Sequence, residues 1–242
     1  MQKTDAEKRE PDAVKGMFAR VAARYDIINR AMCFGLDVLW RRRLAASLGE
    51  FPDGGAGTKF ADIACGSGDV ALEILKRYPK ANVVCADFCA PMLAEAEAKI
   101  SKTPHCARAE FAEADCESLP FAAASFDGAT ISFGFRNFRD RKKCLTEIAR
   151  VLKPNAVLAI LEVSRAGAVM RPLQNFFMCT FVPLAAAALG GNRADYEYLA
   201  RTTMQYPSNA EVLKMFADAG FKNGGVRKMG FGLVAITYGR KI

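Results

Sequence analysis

"FADIACGSGDVALEIL", residues 60–75, passes from an apolar strand-like segment through two glycines into a helix-like run. A strand that turns through glycines into a helix is the layout of a nucleotide-binding unit, because it brings backbone amides and a helix N-terminus to a ligand. Gly66, Gly68 and Ala71 fit GxGxxG/A, and Asp87 follows about 20 residues on, as a dinucleotide-binding unit requires. A methyltransferase of class I would present nearly the same text, so the glycines alone leave the nucleotide open. Gly66 and Gly68 let the backbone approach a ligand closely, which a Cβ would prevent. Asp62, inside the first strand, separates the two readings: a carboxylate repels a pyrophosphate and favours the ammonium of a methionyl group, which tips the loop toward S-adenosylmethionine. Accepting hydrogen bonds from loop amides is the equally available structural role for Asp62, and it is compatible with the same ligand.

Around this stretch, strands and helices alternate. Strand segments at 59–64, 81–87, 109–115, 126–133 and 156–164 are separated by helical segments that include 69–77, 90–101 and 140–151. Such alternation predicts an α/β fold with a parallel sheet wound by right-handed crossovers. A helix over 208–219 and two apolar strands over 223–229 and 232–238, parted by Gly230 and Gly232, are expected to close the sheet as a hairpin. Upstream, residues 13–48 read as two helices, one with Val14, Met17, Phe18, Val21 and Ala22 on a face, the other with Leu36, Leu39, Leu44 and Leu48. The loop "EFPDGGAGTK", residues 50–59, divides them from the core.

In open α/β sheets, ligands lie at the carboxyl ends of strands. Asp87 ends the second strand and can accept both ribose hydroxyls. Asp115 follows the third strand and can accept from an adenine amino group. Ser132, near the end of the fourth, can hydrogen-bond the other half of the ligand.

The chain has 242 residues, of which 51% are hydrophobic, enough for one large domain with a substantial core. Lys and Arg exceed Asp and Glu by 34 to 26, a net charge of +8 that suits an anionic ligand or an anionic membrane surface. No basic block has the length of a nucleic-acid tail, so no nucleic-acid partner is expected; "WRRR" at 40–43 and "RNFRDRKK" at 136–143 read mainly as solvated helix faces. Eight cysteines form no CxxC pair and the single histidine is His105, so no metal site is expected. The polar N-terminus lacks a signal-peptide core, which together with the free thiols favours a cytoplasmic location. Residues 172–192, "PLQNFFMCTFVPLAAAALGGN", carry no charge. Gln174, Asn175, Pro183 and the Gly190-Gly191 pair interrupt them, and a helical cap is a better reading than a membrane span.

Five stretches extend the pattern: "FARVAARYDIINRAMCFGLDVLWRR", "DIACGSGD", "ADFCAPMLAEAEAK", "EADCESLPFAAASFDGATISFGFRNFRD" and "RVLKPNAVLAILEVS". With the tail "DYEYLARTTMQYPSNAEVLKMFADAGF" they closely resemble the ubiquinone/menaquinone biosynthesis C-methyltransferases over nearly the whole chain. "DxAxGxGD" and "LPF…SFD" are shared by many methyltransferases, whereas "RYDxxN", "FGxxxxWRR" and "ISFGFRN" are much more specific. The resemblance implies a class I S-adenosylmethionine-dependent methyltransferase with a Rossmann-like, seven-stranded, mostly parallel sheet and a helical N-terminal cap. It divides one domain into a cap over 1–50, a cofactor-binding core over 58–165, a substrate-side insertion over 166–206, and a closing helix and strands over 207–242. It carries cofactor contacts to Ser67, Asp87, Asp115, Cys116 and Ser132, and places Tyr25, Arg136 and Asn137 beside the methyl acceptor. It implies a polyprenyl quinol as substrate and peripheral contact with the inner face of the membrane; a homodimer is compatible with it. Ser67 stands where the family usually has Thr, and Thr237 where it often has His. A related methyltransferase acting on another phenol, sterol or lipid, and a cofactor-holding scaffold without turnover, are the competing readings.

Overall fold

The computed structural model describes residues 11–22, 25–165, 167, 170–182 and 193–242. Pro183 and the Gly190-Gly191 pair, two of the interruptions in the uncharged segment, lie outside the described residues.

Seven strands form one sheet: β1 (Lys59–Ile63), β2 (Asn82–Asp87), β3 (Ala109–Glu113), β4 (Phe126–Ser132), β5 (Leu152–Val163), β6 (Phe221–Met229) and β7 (Val234–Lys241). Their order is β3-β2-β1-β4-β5-β7-β6, and β7 runs opposite to the other six. The expected hairpin at the C-terminus is present; its first strand starts earlier, at Phe221, and its second is shifted along the chain to Val234–Lys241. The order reverses between β1 and β4, the place where open α/β sheets open a crevice at their carboxyl ends.

The central strands are largely apolar on both faces, and each face has its own cover. Phe60, Val83, Cys85, Val157, Ala159 and Leu161 pack on one side with Leu44, Leu48, Ile74 and Ile100. Their sequence neighbours Ala61, Ile63, Val84, Leu158 and Ile160 pack on the other with Leu145, Ile148, Val212 and Phe216. The two-residue repeat of a strand sends successive side chains to opposite layers, so a near-continuous apolar run is what a doubly covered sheet needs.

The N-terminal segment contains three helices where two were expected: α1 (Pro11–Val21), α2 (Tyr25–Met32) and α3 (Leu36–Ala46). The break between α2 and α3 comes at Phe34 and Gly35, whose φ values of 50° and 74° are left-handed and end a helix. β5 also starts earlier than expected, at Leu152: its register against β4 shifts between Phe126 and Gly128, and the strand absorbs Asn155 at φ 64° as a bulge. Among the described residues the further α-helices are α4 (Asp69–Arg77), α5 (Ala90–Ile100), α6 (Arg141–Val151), α7 (Arg171–Phe176), α8 (Arg193–Met204) and α9 (Asn209–Asp218). A capping box between Ser208 and Glu211 starts α9.

Gly68 begins α4 at φ 79°, and a Cβ there would lie 3.0 Å from that of Ala96, so this glycine lets α4 and α5 pack closely. Among the described residues no helix is long and apolar enough to cross a membrane.

Candidate active site

Two cavities adjoin the turn after β4, at the carboxyl edge of the sheet. The smaller, about 90 Å³, is built from strand ends: Gly66 after β1, Asp87 ending β2, Asp115 and Cys116 after β3, and Ser132 ending β4. The sheet therefore brings together five of the eight residues expected to hold the cofactor. Asp87 Oδ2 accepts from the Gly66 amide at 2.8 Å and Oδ1 from the Cys89 amide at 2.9 Å. Burial raises the Asp87 carboxyl above its ordinary pKa, and these amides partly offset that. Asp115 Oδ1 accepts from the Glu117 amide at 2.9 Å, which fixes the turn after β3. The Ser132 hydroxyl is buried with no hydrogen-bond partner among the described residues. Ala64 and Phe133, in the same wall, have φ values of 52° and 55°. Left-handed backbone at non-glycine residues costs on the order of 1–3 kcal/mol each and clusters at functional sites.

Asp62, Ser67 and Gly68 are placed differently from the expectation. Asp62 is fully buried: Oδ1 accepts from the Thr130 hydroxyl at 2.7 Å and Oδ2 from the Ala71 amide at 3.1 Å. It thus holds the first turn of α4 against β4 and is not in the cavity wall, the loop-holding role rather than the ligand-facing one. Burial, the dominant cause, pushes its pKa from 3.8 up to about 7, so it is not a full counter-charge for an ammonium at neutral pH. Ser67 turns away from the cavity to donate to Asp26 of α2, and Gly68 packs against α5.

The raised value of Asp62 has a consequence for stability. A folded pKa above the unfolded one means the stabilisation is complete in acid and lost as pH rises through about 7. Asp62→Asn can keep both bonds, accepting from Ala71 and donating to Thr130. The Tm of the wild-type protein is therefore expected to fall relative to the variant between pH 5 and pH 8; parallel profiles would show that Asp62 ionises without cost.

The larger cavity, about 430 Å³, lies among α1, α2, α3, the turn after β4 and the segment after β5. Ile28, Met32, Trp40, Phe177 and Leu233 make its wall largely apolar. Its volume suits a drug-sized molecule. Phe18, Tyr25, Phe133 and Asn137 line both cavities and form their common wall. The structure thus brings Tyr25, Arg136 and Asn137 together in the larger cavity, with Tyr25 and Asn137 at the junction.

Arg136 is buried, contrary to the solvated face that its sequence context suggested. Its Nη1 donates to Glu162 Oε1 at 2.7 Å and to the Phe133 carbonyl at 2.6 Å, and its amide donates to Glu162 Oε2 at 3.1 Å. Arg136 Nε and Asn137 Nδ2 have no hydrogen-bond partner among the described residues. Asn137 Oδ1 accepts from the Tyr198 hydroxyl at 3.4 Å. Burial raises the Tyr25 pKa despite the opposing charges of Arg136 and Arg41, so at neutral pH its hydroxyl is protonated and can donate.

Glu162 and Arg41 were not singled out from the sequence. Arg41 is buried as well, bridging Asp37 of its own helix and Asp69 of α4, the latter at 2.7 Å. Lys99 of α5 joins Asp69 at 2.7 Å and also pairs with Asp26, so the helical cap is tied to the glycine loop by charge. Among the described residues no group of three or more His, Cys, Asp or Glu could hold a metal ion.

A doubly wound seven-stranded sheet with an antiparallel β7, and a cavity at the carboxyl ends of its central strands, defines the class I S-adenosylmethionine-dependent methyltransferase fold. Solved structures share it: a SAM-dependent methyltransferase from Aquifex aeolicus covers 99% of this chain and is itself covered completely, with a TM-score of 0.64 at 19% identity. A SAM-dependent methyltransferase from Thermotoga maritima gives a TM-score of 0.67 at 17% identity, over 94% of this chain and 99% of that one. The chain belongs to the ubiE/COQ5 methyltransferase family, whose model matches residues 1–241. It is 39% identical over 228 residues to the demethylmenaquinone methyltransferase of Thermus thermophilus, covering 92% of this chain and 99% of that protein. It is 34% identical over 232 residues to the ubiquinone/menaquinone biosynthesis C-methyltransferase UbiE of Geobacter sulfurreducens, covering 95% and 89%.

Proposed function

We propose that the chain transfers a methyl group from S-adenosylmethionine to a ring carbon of a polyprenylated quinol, a demethylmenaquinol or the corresponding benzoquinol. The observation that carries this reading is the shared wall: a small polar cavity at the strand ends meets a larger apolar one across Phe18, Tyr25, Phe133 and Asn137. In the smaller cavity Asp87 takes the ribose hydroxyls, Asp115 and Cys116 flank the adenine, and Ser132 offers its unmet hydroxyl to the ligand. Gly66 admits the ligand to the backbone, while Asp62, Ser67 and Gly68 set the loop geometry behind it. Residues 1–50 and 166–206 act as the acceptor-side cap of a single domain whose core is 58–165 with 207–242, in keeping with the α1–α3, Phe177 and Tyr198 lining.

The donor supplies an electrophilic methyl on a sulfonium, and its leaving thioether needs no protonation. The protein must therefore align the two reactants, exclude water and stabilise charge on the acceptor. A ring carbon ortho to a phenolate is the nucleophile: its electron pair forms the new C–C bond, and the carbon then sheds its proton as aromaticity returns. Arg136 stays protonated at any ordinary pH and is not a base; with Asn137 Nδ2 and the Tyr25 hydroxyl it offers donors to the developing phenolate. The apolar wall keeps that charge in a low dielectric, where such donors act most strongly. Turnover of demethylmenaquinol and of its benzoquinol counterpart, followed by mass spectrometry for the added ring methyl, tests the reading. No transfer to either would overturn it.

A polyprenyl tail resides in a bilayer, and the mouth of the larger cavity is built to meet one. Phe34 and Phe231 line it yet are 73% and 89% exposed. Arg30, Arg42 and Arg43 stand exposed on the adjoining helices. Exposed apolar groups with basic ones on the adjoining helices suit peripheral docking on an anionic leaflet, here the cytoplasmic face. Binding to phosphatidylglycerol vesicles is expected, weakening with salt, and Phe34→Ser with Phe231→Ser should reduce it at least about tenfold. Undiminished binding by that double variant would place the membrane contact elsewhere.

A further inference from the structure

Hydrogen-bonding groups left unmet in the larger cavity's wall are of two opposite kinds. The turn after β4 contributes donors, Arg136 Nε and Asn137 Nδ2, both buried without partners among the described residues. α3 contributes an acceptor. Asp37 lines the cavity at 1% exposure, its Oδ2 takes the bond from Arg41 Nη1, and its Oδ1 has no partner among the described residues. A buried carboxylate oxygen without a donor is costly, so a ligand that brings an O–H to it gains by the amount otherwise lost.

The geometry points to Asp37 as the residue that selects the reduced acceptor, by receiving the hydroxyl para to the one that becomes the phenolate. A hydroquinone meets both kinds of group: one oxygen accepts from Arg136 and Asn137, and the other donates to Asp37. A quinone has two carbonyl acceptors and nothing to donate, so it would set an oxygen lone pair against the unmet Oδ1. Asp37, like Arg136, lines the larger cavity and not the smaller one, so both meet the acceptor rather than the methyl donor. This inference rests on the quinol reading above and deepens it.

Trp40, the chain's single tryptophan, lines the same cavity and supplies the signal. Anaerobic fluorescence titrations without methyl donor would compare 1,4-naphthohydroquinone, its dimethyl ether and 1,4-naphthoquinone. The wild-type protein is expected to bind the hydroquinone about tenfold or more tightly than either of the others, the usual consequence of leaving one buried polar group unpaired. Asp37→Asn keeps the side-chain shape and an oxygen for Arg41 but puts an amide donor where Oδ1 stood. It should erase or invert the preference while retaining calorimetric affinity for S-adenosylmethionine, which also reports that the variant is folded. Equal wild-type affinities for hydroquinone and quinone would overturn the inference and assign Oδ1 to a trapped water. So would a folded Asp37→Asn that keeps the full preference. Failure of the quinol reading itself gives a different result: none of the three compounds changes the Trp40 emission.

Discussion

Arg136→Ala is expected to lower kcat by about two to three orders of magnitude, the usual cost of removing one charge-stabilising donor, while leaving the Kd for S-adenosylmethionine unchanged. The separation of effects follows from placement: Arg136 lines the larger cavity and not the smaller one. Its charge also lies close enough to depress the pKa of Tyr25 against the larger raising effect of burial, so both groups face the same space. Removing it has a second consequence, because Glu162 is 3% exposed and would keep a buried, unpaired charge at a cost of about 3–5 kcal/mol. The double variant Arg136→Ala/Glu162→Gln relieves that burden, and it should recover stability but not turnover. Arg136→Lys keeps the charge and loses the planar fork that Glu162 and the Phe133 carbonyl hold, so an intermediate kcat is expected. An unchanged kcat in the folded double variant would remove Arg136 from the chemistry.

Asp87→Ala should act on the other side of the shared wall, raising the Kd for S-adenosylmethionine roughly 10²- to 10⁴-fold. Two hydrogen bonds to a charged acceptor are worth about 1.5–3 kcal/mol each, and every 1.4 kcal/mol is tenfold in affinity. Part of the loss would come through the protein, since Asp87 also fixes the Gly66 and Cys89 amides that shape the glycine turn. Asp87→Asn retains one acceptor oxygen and should fall between the two, with kcat near that of the wild type once donor is saturating. Calorimetry measures the affinity directly. A wild-type Kd in the folded alanine variant would show that the ribose lies elsewhere.

Much of this site is legible along the chain because strand ends are legible. Asp87, Asp115, Cys116 and Ser132 each fall where an apolar run stops, and parallel topology sends all those stops to one edge of the sheet. Asp62 is the instructive departure. Its place inside β1 could be read, but the direction of its carboxylate could not, and the Thr130 hydroxyl that turns it inward is 68 residues away. Ser67 departs for a like reason, since its partner Asp26 belongs to the cap.

Two signals stood in the text unused. Glu162 is a lone carboxylate in the apolar run "AVLAILEVS", and a charge in a doubly covered strand requires a buried partner. Asp37 and Arg41 are four apart on one helix, the spacing of a paired couple, yet the "WRRR" context read as a solvated face. Arg41 is buried where α4 packs on α3 and brings Asp69 to it, and Lys99 of α5 joins the same Asp69.

By itself, then, the chain's order of residues determined the α/β alternation, the glycine turn and the edge of the sheet where a ligand lies, because backbone periodicity and glycine geometry are local properties. Only the tertiary structure decided which charges are buried, which carboxylates line a cavity and which turn into the protein, and that two cavities meet at Tyr25 and Asn137. Those outcomes depend on partners tens of residues apart, whose proximity no local pattern encodes.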